Sequence, residues 1–116
     1  MWKRYPSKYN SSKVEVDGIK FASKLEAKRY RELKQMEEEG KIRDLILQRE
    51  FVLIPSFKKN GKTYRKTSYF ADFCYFDKET SKYMVEDTKG FKTEVYKLKK
   101  KLFEEKYPSL TITEVK

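Results

Sequence analysis

The chain has 116 residues, of which 28 are Lys or Arg and 18 are Asp or Glu, giving a formal charge of +10; it holds one cysteine and no histidine. That length supports one modest core. The single Cys74 excludes an internal disulfide, and the lack of His excludes the usual zinc sites and any His-based acid or base. An aromatic content of 16% separates the chain from disordered proteins, and the cationic excess points to a polyanion, nucleic acid before an acidic membrane surface.

Residues 1–13, "MWKRYPSKYNSSK", read as a basic N-terminal arm, and residues 14–116 as a single domain. The arm has no apolar core of signal-peptide length, and no stretch approaches the roughly 20 apolar residues of a membrane span. An intracellular protein without membrane attachment is the expectation. "KVEVDGIKF" alternates around Asp17-Gly18, a hairpin signal. From Ser23, Leu25, Tyr30, Leu33 and Met36 recur at helical spacing until Gly40 supplies a stop.

Beyond this helix the residues turn β-branched and aromatic. "IRDLILQREFVLIPSF" and "KTYRKTSYFADFCYF" predict two strands joined at Asn60-Gly61, and "YMVEDTKG" a third after a polar loop. "KTEVYKLKKKLFEEKYP" places Val95, Leu98 and Leu102 on one helical stripe ended near Pro108, and "LTITEV" closes the chain as a strand. A strand reached through a helix packs parallel to its predecessor by a right-handed crossover. The fold class is therefore α/β: an αβββαβ core, its mixed sheet flanked by two helices.

Acids inside the strand-like runs demand an explanation, because a buried carboxylate without a partner costs several kcal/mol. On the third strand, alternation puts Asp87 and Lys89 on one face and Glu86 on the other. The Asp87–Lys89 pair suits a metal and an ammonium beside its water; it equally suits a surface ion pair worth about 0–1 kcal/mol. Asp72 is the only charge in "YFADFCYF". If the runs 69–76 and 83–89 pair, Asp72 and Asp87 lie near one sheet end, where Mg²⁺ with its oxygen ligands would relieve their repulsion; an Asp satisfied by backbone amides or an Arg is the alternative. Glu26 closes the capping-box pattern "SKLE", and also lies beside the sheet-facing stripe, where it could serve as a ligand.

"FASKLEAKRY", "LQREFVLIP", "YFADFCYFD" and "VEDTKG" together resemble the PD-(D/E)XK nuclease superfamily, and within it small, largely uncharacterised nuclease-like proteins of phages of Gram-positive bacteria. The resemblance spans roughly residues 14–115 and implies a restriction-endonuclease-like core. It implies that Asp72, Asp87 and Glu26 bind Mg²⁺ or Mn²⁺ and that Lys89 assists the attacking water. Gln48 and Tyr96 resemble auxiliary positions. Ala71 stands where the family's motif has Pro, and Glu86 precedes Asp87, so spacing must choose between these acids; only Asp87 shares a face with Lys89.

With no His available, metal-activated hydroxide is the natural nucleophile. Lys97, Lys100 and Lys101 fall at i, i+3 and i+4 on the second helix. Lys92 follows the proposed active strand, and Lys58, Lys59 and Lys62 cluster at the Asn60-Gly61 turn. Together they would hold a polyanion with steep salt dependence. The expected function is a metal-dependent endonuclease hydrolysing DNA phosphodiesters, of branched or recombination intermediates as in Holliday-junction resolvases. A homodimer could cut two strands, and a phage-encoded protein would act in the host cytoplasm. The rival is a non-catalytic basic nucleic-acid-binding module.

Overall fold

The structure is a computed structural model describing residues 13–88 and 91–116. Residues 1–12 of the expected arm, with Lys89 and Gly90, lie outside the described residues. A hairpin of β1 (Val14–Val16) and β2 (Ile19–Phe21) opens the fold. Its turn residues Asp17 and Gly18 have φ of 54° and 76°, as the two-residue turn requires. Helix α1 (Lys24–Glu38) starts at Ser23, whose Oγ accepts the Glu26 N–H at 3.1 Å. It ends with Gly40 at φ 76°, where the Gly40 N–H donates to Glu37 O and the Lys41 N–H to Met36 O, a glycine-dependent helix stop.

The remaining elements are β3 (Ile42–Ile54), β4 (Phe57–Lys59), β5 (Lys62–Tyr64), β6 (Thr67–Asp77), β7 (Lys82–Asp87), α2 (Glu94–Lys106) and β8 (Ile112–Glu114). Strands order as β3-β6-β7-β8, with β3, β6 and β7 an antiparallel meander and β8 parallel to β7. The expected αβββαβ core is present, as a mixed sheet with two helices. The Asn60-Gly61 hairpin differs in one respect: its tip is a separate two-stranded ribbon of β4 and β5. Pro55, which cannot donate to a ladder, separates β3 from β4 where the register shifts near Ile54. Among the described residues no helix is long and apolar enough to cross a membrane.

The core is two clusters on opposite faces of the sheet. Ile42, Phe73 and Tyr75 pack with Ala27, Tyr30 and Leu33 of α1, joined by Leu45 and Leu47. Phe51, Leu53, Tyr69, Ala71 and Cys74 pack with Tyr96 and Phe103 of α2. Strict alternation would keep Leu47 on the face of Phe51, and Phe73 on the face of Ala71. Both strands instead change face between these residues. The pairs Leu47↔Phe73 and Arg49↔Ala71 bracket the change, leaving Gln48 opposite Asp72 with Gln48 at φ 55°. The left-handed Gln48 marks the change on β3 while the register runs on unbroken, and each helix covers a different half of the sheet.

The stripe expected on α2 is corrected. Val95 and Leu98 are 64% and 57% exposed, and the helix buries Tyr96 and Phe103 instead, with Leu102 half-buried. Phe103 sits edge-on to Phe51 and Tyr69 at 5.1 and 5.5 Å. Rings seven residues apart share a face and remove more apolar area from water than Val and Leu, so the helix turns them inward. On α1, Tyr30, Leu33 and Met36 take their expected inward places, Ala27 joins them, and Leu25 lines a cavity.

Two polar ties hold the helices to the sheet. Arg29 of α1 donates Nε–H and Nη2–H to the Glu86 carboxylate at 2.8 and 2.7 Å, and the Tyr75 hydroxyl donates to the same group. The Glu86 side chain is only 2% exposed, and this hydrogen-bonded partnership raises the Arg29 pKa above its ordinary value. Glu114 of β8 accepts from Tyr96 of α2 at 2.8 Å and pairs with Lys92 and Lys100 at 2.8 and 3.2 Å. Hydrogen bonds from Lys92, then Tyr96 and Lys100, lower its pKa from 4.5 to about 2.

Removing one member of a buried pair strands the other. Arg29→Ala should therefore cost about 3 kcal/mol in urea unfolding, while Arg29→Met with Glu86→Leu costs less than the single change. For Glu114, the unfolded chain takes up the proton first as pH falls, so the contribution is complete above about 4.5 and drains away toward about 2. Thermal melts over that range should show the advantage of wild type over Glu114→Gln shrinking as pH is lowered.

Candidate functional site

Asp72 stands at the point where β3 and β6 change face. Its Oδ1 accepts Gln48 Nε2–H at 2.9 Å, and its Oδ2 accepts both the Thr88 backbone N–H and the Thr88 hydroxyl at 2.8 Å. These bonds tie β3, β6 and the end of β7 together through one carboxylate. Asp72 is half-buried and lines a cavity of about 780 Å³ with Ser23, Glu26, Gln48, Thr88 and Phe91. The Ser23 half of the expected capping box is in place, and the Glu26 side chain, in the first turn of α1, forms part of the wall that faces Asp72's cavity.

The β6–β7 ladder ends at Phe73↔Glu86, and Asp72 and Asp87 are the next residues along each strand beyond that pair. Asp87 is 1% exposed, and its Oδ2 accepts the Tyr69 hydroxyl at 2.6 Å on the α2 face. Glu86 points to the α1 face, toward Arg29 and Tyr75. Alternation thus separates the two adjacent acids as expected. Burial, followed by the hydrogen bond to Asp87, drives the Tyr69 hydroxyl pKa upward, and the charge of Asp72 adds to the rise. Burial raises that of Tyr96 too, helped by Glu114, Asp87 and Asp72. Asp87 thus lies buried on the α2 face, outside the lining of the Asp72 cavity.

Of the expected site residues, Asp72, Glu26 and Gln48 share the cavity, whereas Asp87 is buried against Tyr69 and does not line it; Lys89 lies outside the described residues. Tyr96, expected as auxiliary, is buried and donates to Glu114. Among the described residues, no three His, Cys, Asp or Glu side chains form a ready-made metal cluster. The donor chemistry nevertheless suits a hard cation, since Mg²⁺ takes one or two carboxylates and completes its shell with water and phosphate, and Asp72 and Glu26 open onto the same cavity.

Lys92, Lys97, Lys100 and Lys101 line a second concavity of about 460 Å³ with Glu104 and Glu114. Three of these lysines are paired within the protein, Lys92 and Lys100 to Glu114 and Lys97 to Glu94 at 3.1 Å. Lys58, Lys59 and Lys62 are exposed on the separate β4–β5 ribbon. Sequence reasoning missed Thr88, which holds Asp72, and Glu114, which gathers the lysines. Thr88 is the variable residue of D-x-K, and only its even spacing with Glu86, on the cavity-side face, could have drawn notice. Glu114 carries the sole charge in "LTITEV", the same signal that singled out Asp72.

No curated protein and no solved structure gives a significant match to the chain. Residues 6–116 match the family described as "Protein of unknown function (DUF1064)". That match takes in α1, the whole sheet and the Asp72 cavity, and the chain belongs to the DUF1064 family.

Proposed function

We propose that this protein is a metal-dependent endonuclease of the PD-(D/E)XK kind that hydrolyses DNA phosphodiesters. The observation that carries the reading is the placement of Asp72: fixed by Gln48 and Thr88, the chain neighbour of Asp87, and open to a cavity shared with Glu26. Asp72 and Glu26 are the first residues to hold the cation, with Asp87 the third. Mg²⁺ or Mn²⁺ bound there would stabilise charge on phosphoryl oxygens and supply a water of lowered pKa.

The chain's own residues have separate tasks. Gln48 and Thr88 orient the Asp72 carboxylate, so it need not reorganise when the substrate arrives. Tyr69 holds Asp87 by its hydroxyl. Lys89 follows Thr88 directly in the chain, and its ammonium is the candidate for the attacking water. Lys97 and Lys101 face solvent and would meet phosphates, Lys97 by exchanging its surface pair with Glu94, while Lys92 and Lys100 would have to exchange Glu114 for them. Branched or recombination DNA as the substrate, and a homodimer presenting two sites to two strands, belong to the same proposal.

One observation favours a basic binding module without chemistry. Asp72, Asp87 and Glu86 all accept protein hydrogen bonds, as acids kept for folding would. A cleavage assay on linear, nicked, single-stranded and four-way DNA separates the readings. Wild type should cut at least one of these with Mg²⁺ and none in EDTA, and Asp72→Asn should lower the rate by roughly a hundredfold or more with DNA binding retained. In the same assay Asp87→Asn should abolish cleavage while Glu86→Gln, provided it stays folded by circular dichroism, retains most of it. Equal loss from both would overturn the assignment of Asp87, and no cutting under any condition would leave the binding module.

A further inference from the structure

The β4–β5 ribbon has a composition and placement that folding does not explain. From Pro55 to Thr67 the chain carries Lys58, Lys59, Lys62, Arg65 and Lys66 and no acid, and Lys66, at the base of the ribbon, pairs with Glu50 of β3 at 2.8 Å. All six strand residues are exposed, and no other element packs extensively on them. A two-stranded hairpin alone is marginal in water, and clustered cations weaken it further by repulsion. This one is braced locally. Phe57 and Tyr64 are cross-strand partners with rings stacked at 4.8 Å and 12°, Lys62 Nζ lies 5.0 Å over the Tyr64 ring, and Asn60 and Gly61 take φ of 53° and 73° at the turn. The result is a stiff arm with its charges at the tip.

The register decides where those charges point. Phe57, Lys59, Lys62 and Tyr64 share one face of the ribbon, and Lys58 and Thr63 the other. Cations on both faces suit a groove with phosphates on two walls. A flat anionic surface such as a membrane would use one face only. Two strands roughly 4.8 Å apart fit a DNA major groove about 12 Å wide. We propose that the β4–β5 ribbon is a duplex-binding arm that enters a groove of double-stranded DNA, with Lys59 and Lys62 on one phosphate wall and Lys58 on the other. The contacts are to phosphate, so the arm positions a duplex without reading its sequence. The inference deepens the proposed function by assigning a double-stranded segment to the substrate, and shares with it only the choice of nucleic acid as ligand.

The test is fluorescence anisotropy in EDTA, where cleavage plays no part, with a labelled duplex and the single strand of equal length. Wild type is compared with the triple variant Lys58→Gln, Lys59→Gln, Lys62→Gln and with Lys97→Gln, Lys101→Gln on α2. None of these side chains belongs to either core cluster, so each variant should melt like wild type; because Lys62→Gln removes the cation over Tyr64, the double variant Lys58→Gln, Lys59→Gln, which keeps that brace, is included and should also lose duplex affinity. The ribbon variant should lose roughly tenfold or more in duplex affinity near physiological salt, and its log–log salt slope should flatten by about 2.7 for three phosphate contacts, with a much smaller loss on the single strand. Unchanged duplex affinity and slope, equal losses on duplex and single strand, or no duplex binding by wild type would overturn the proposal. Duplex binding by the arm without Mg²⁺-dependent cleavage would sink the nuclease reading alone; cleavage with an indifferent ribbon would sink this one alone.

Discussion

The structure depends on the simultaneous change of face by β3 and β6 at Gln48 and Asp72. A flat antiparallel pair would send every second residue of both strands to one side, and a single layer of helix would have to cover it. Leu47 faces α1 while Phe51 faces α2 across the left-handed Gln48, and Phe73 and Ala71 divide in the same way across the register. Two short helices thereby close opposite faces of one sheet. The residues at the crossing belong to neither cluster, and a carboxylate there can open to a cavity rather than be sealed in the core.

The acids are distributed according to what surrounds them. Glu86 is nearly inaccessible and receives a guanidinium and a phenol, which together offset the loss of water around a buried charge. Asp87, equally buried on the other face, receives the Tyr69 hydroxyl. Asp72 has three donors yet keeps a side toward the cavity. The setting of Glu86 locks α1 to the sheet, whereas that of Asp72 holds a hard oxygen donor in place and leaves it reachable.

Cations follow a similar division. On α2 the lysines stand beside Glu114 and Glu94, which neutralise part of the array and pin the helix to β8. On the β4–β5 ribbon Lys58, Lys59 and Lys62 have no acid nearby in sequence, and the ribbon carries them out from the sheet. Net charge alone would have treated both groups as one basic surface.

Local signals were enough to read the element order, the two glycine-assisted hairpins, the Ser23 start and Gly40 stop of α1, and the opposed directions of Glu86 and Asp87, because turn chemistry, capping and strand alternation act within a few residues. That Asp72 and Asp87 stand toward one end of their paired strands was legible as soon as the two strands were paired. What could not be read was the face change at Gln48, since a positive φ on a non-glycine residue leaves no mark in composition; nor the choice of Tyr96 and Phe103 over Val95 and Leu98, which rests on the rings of Phe51 and Tyr69 waiting across the sheet. The partners of the charged groups, Arg29 for Glu86, Thr88 for Asp72 and Glu114 for the lysines, come from distant segments. Such pairings are set by packing in three dimensions, and a linear pattern carries no term for them.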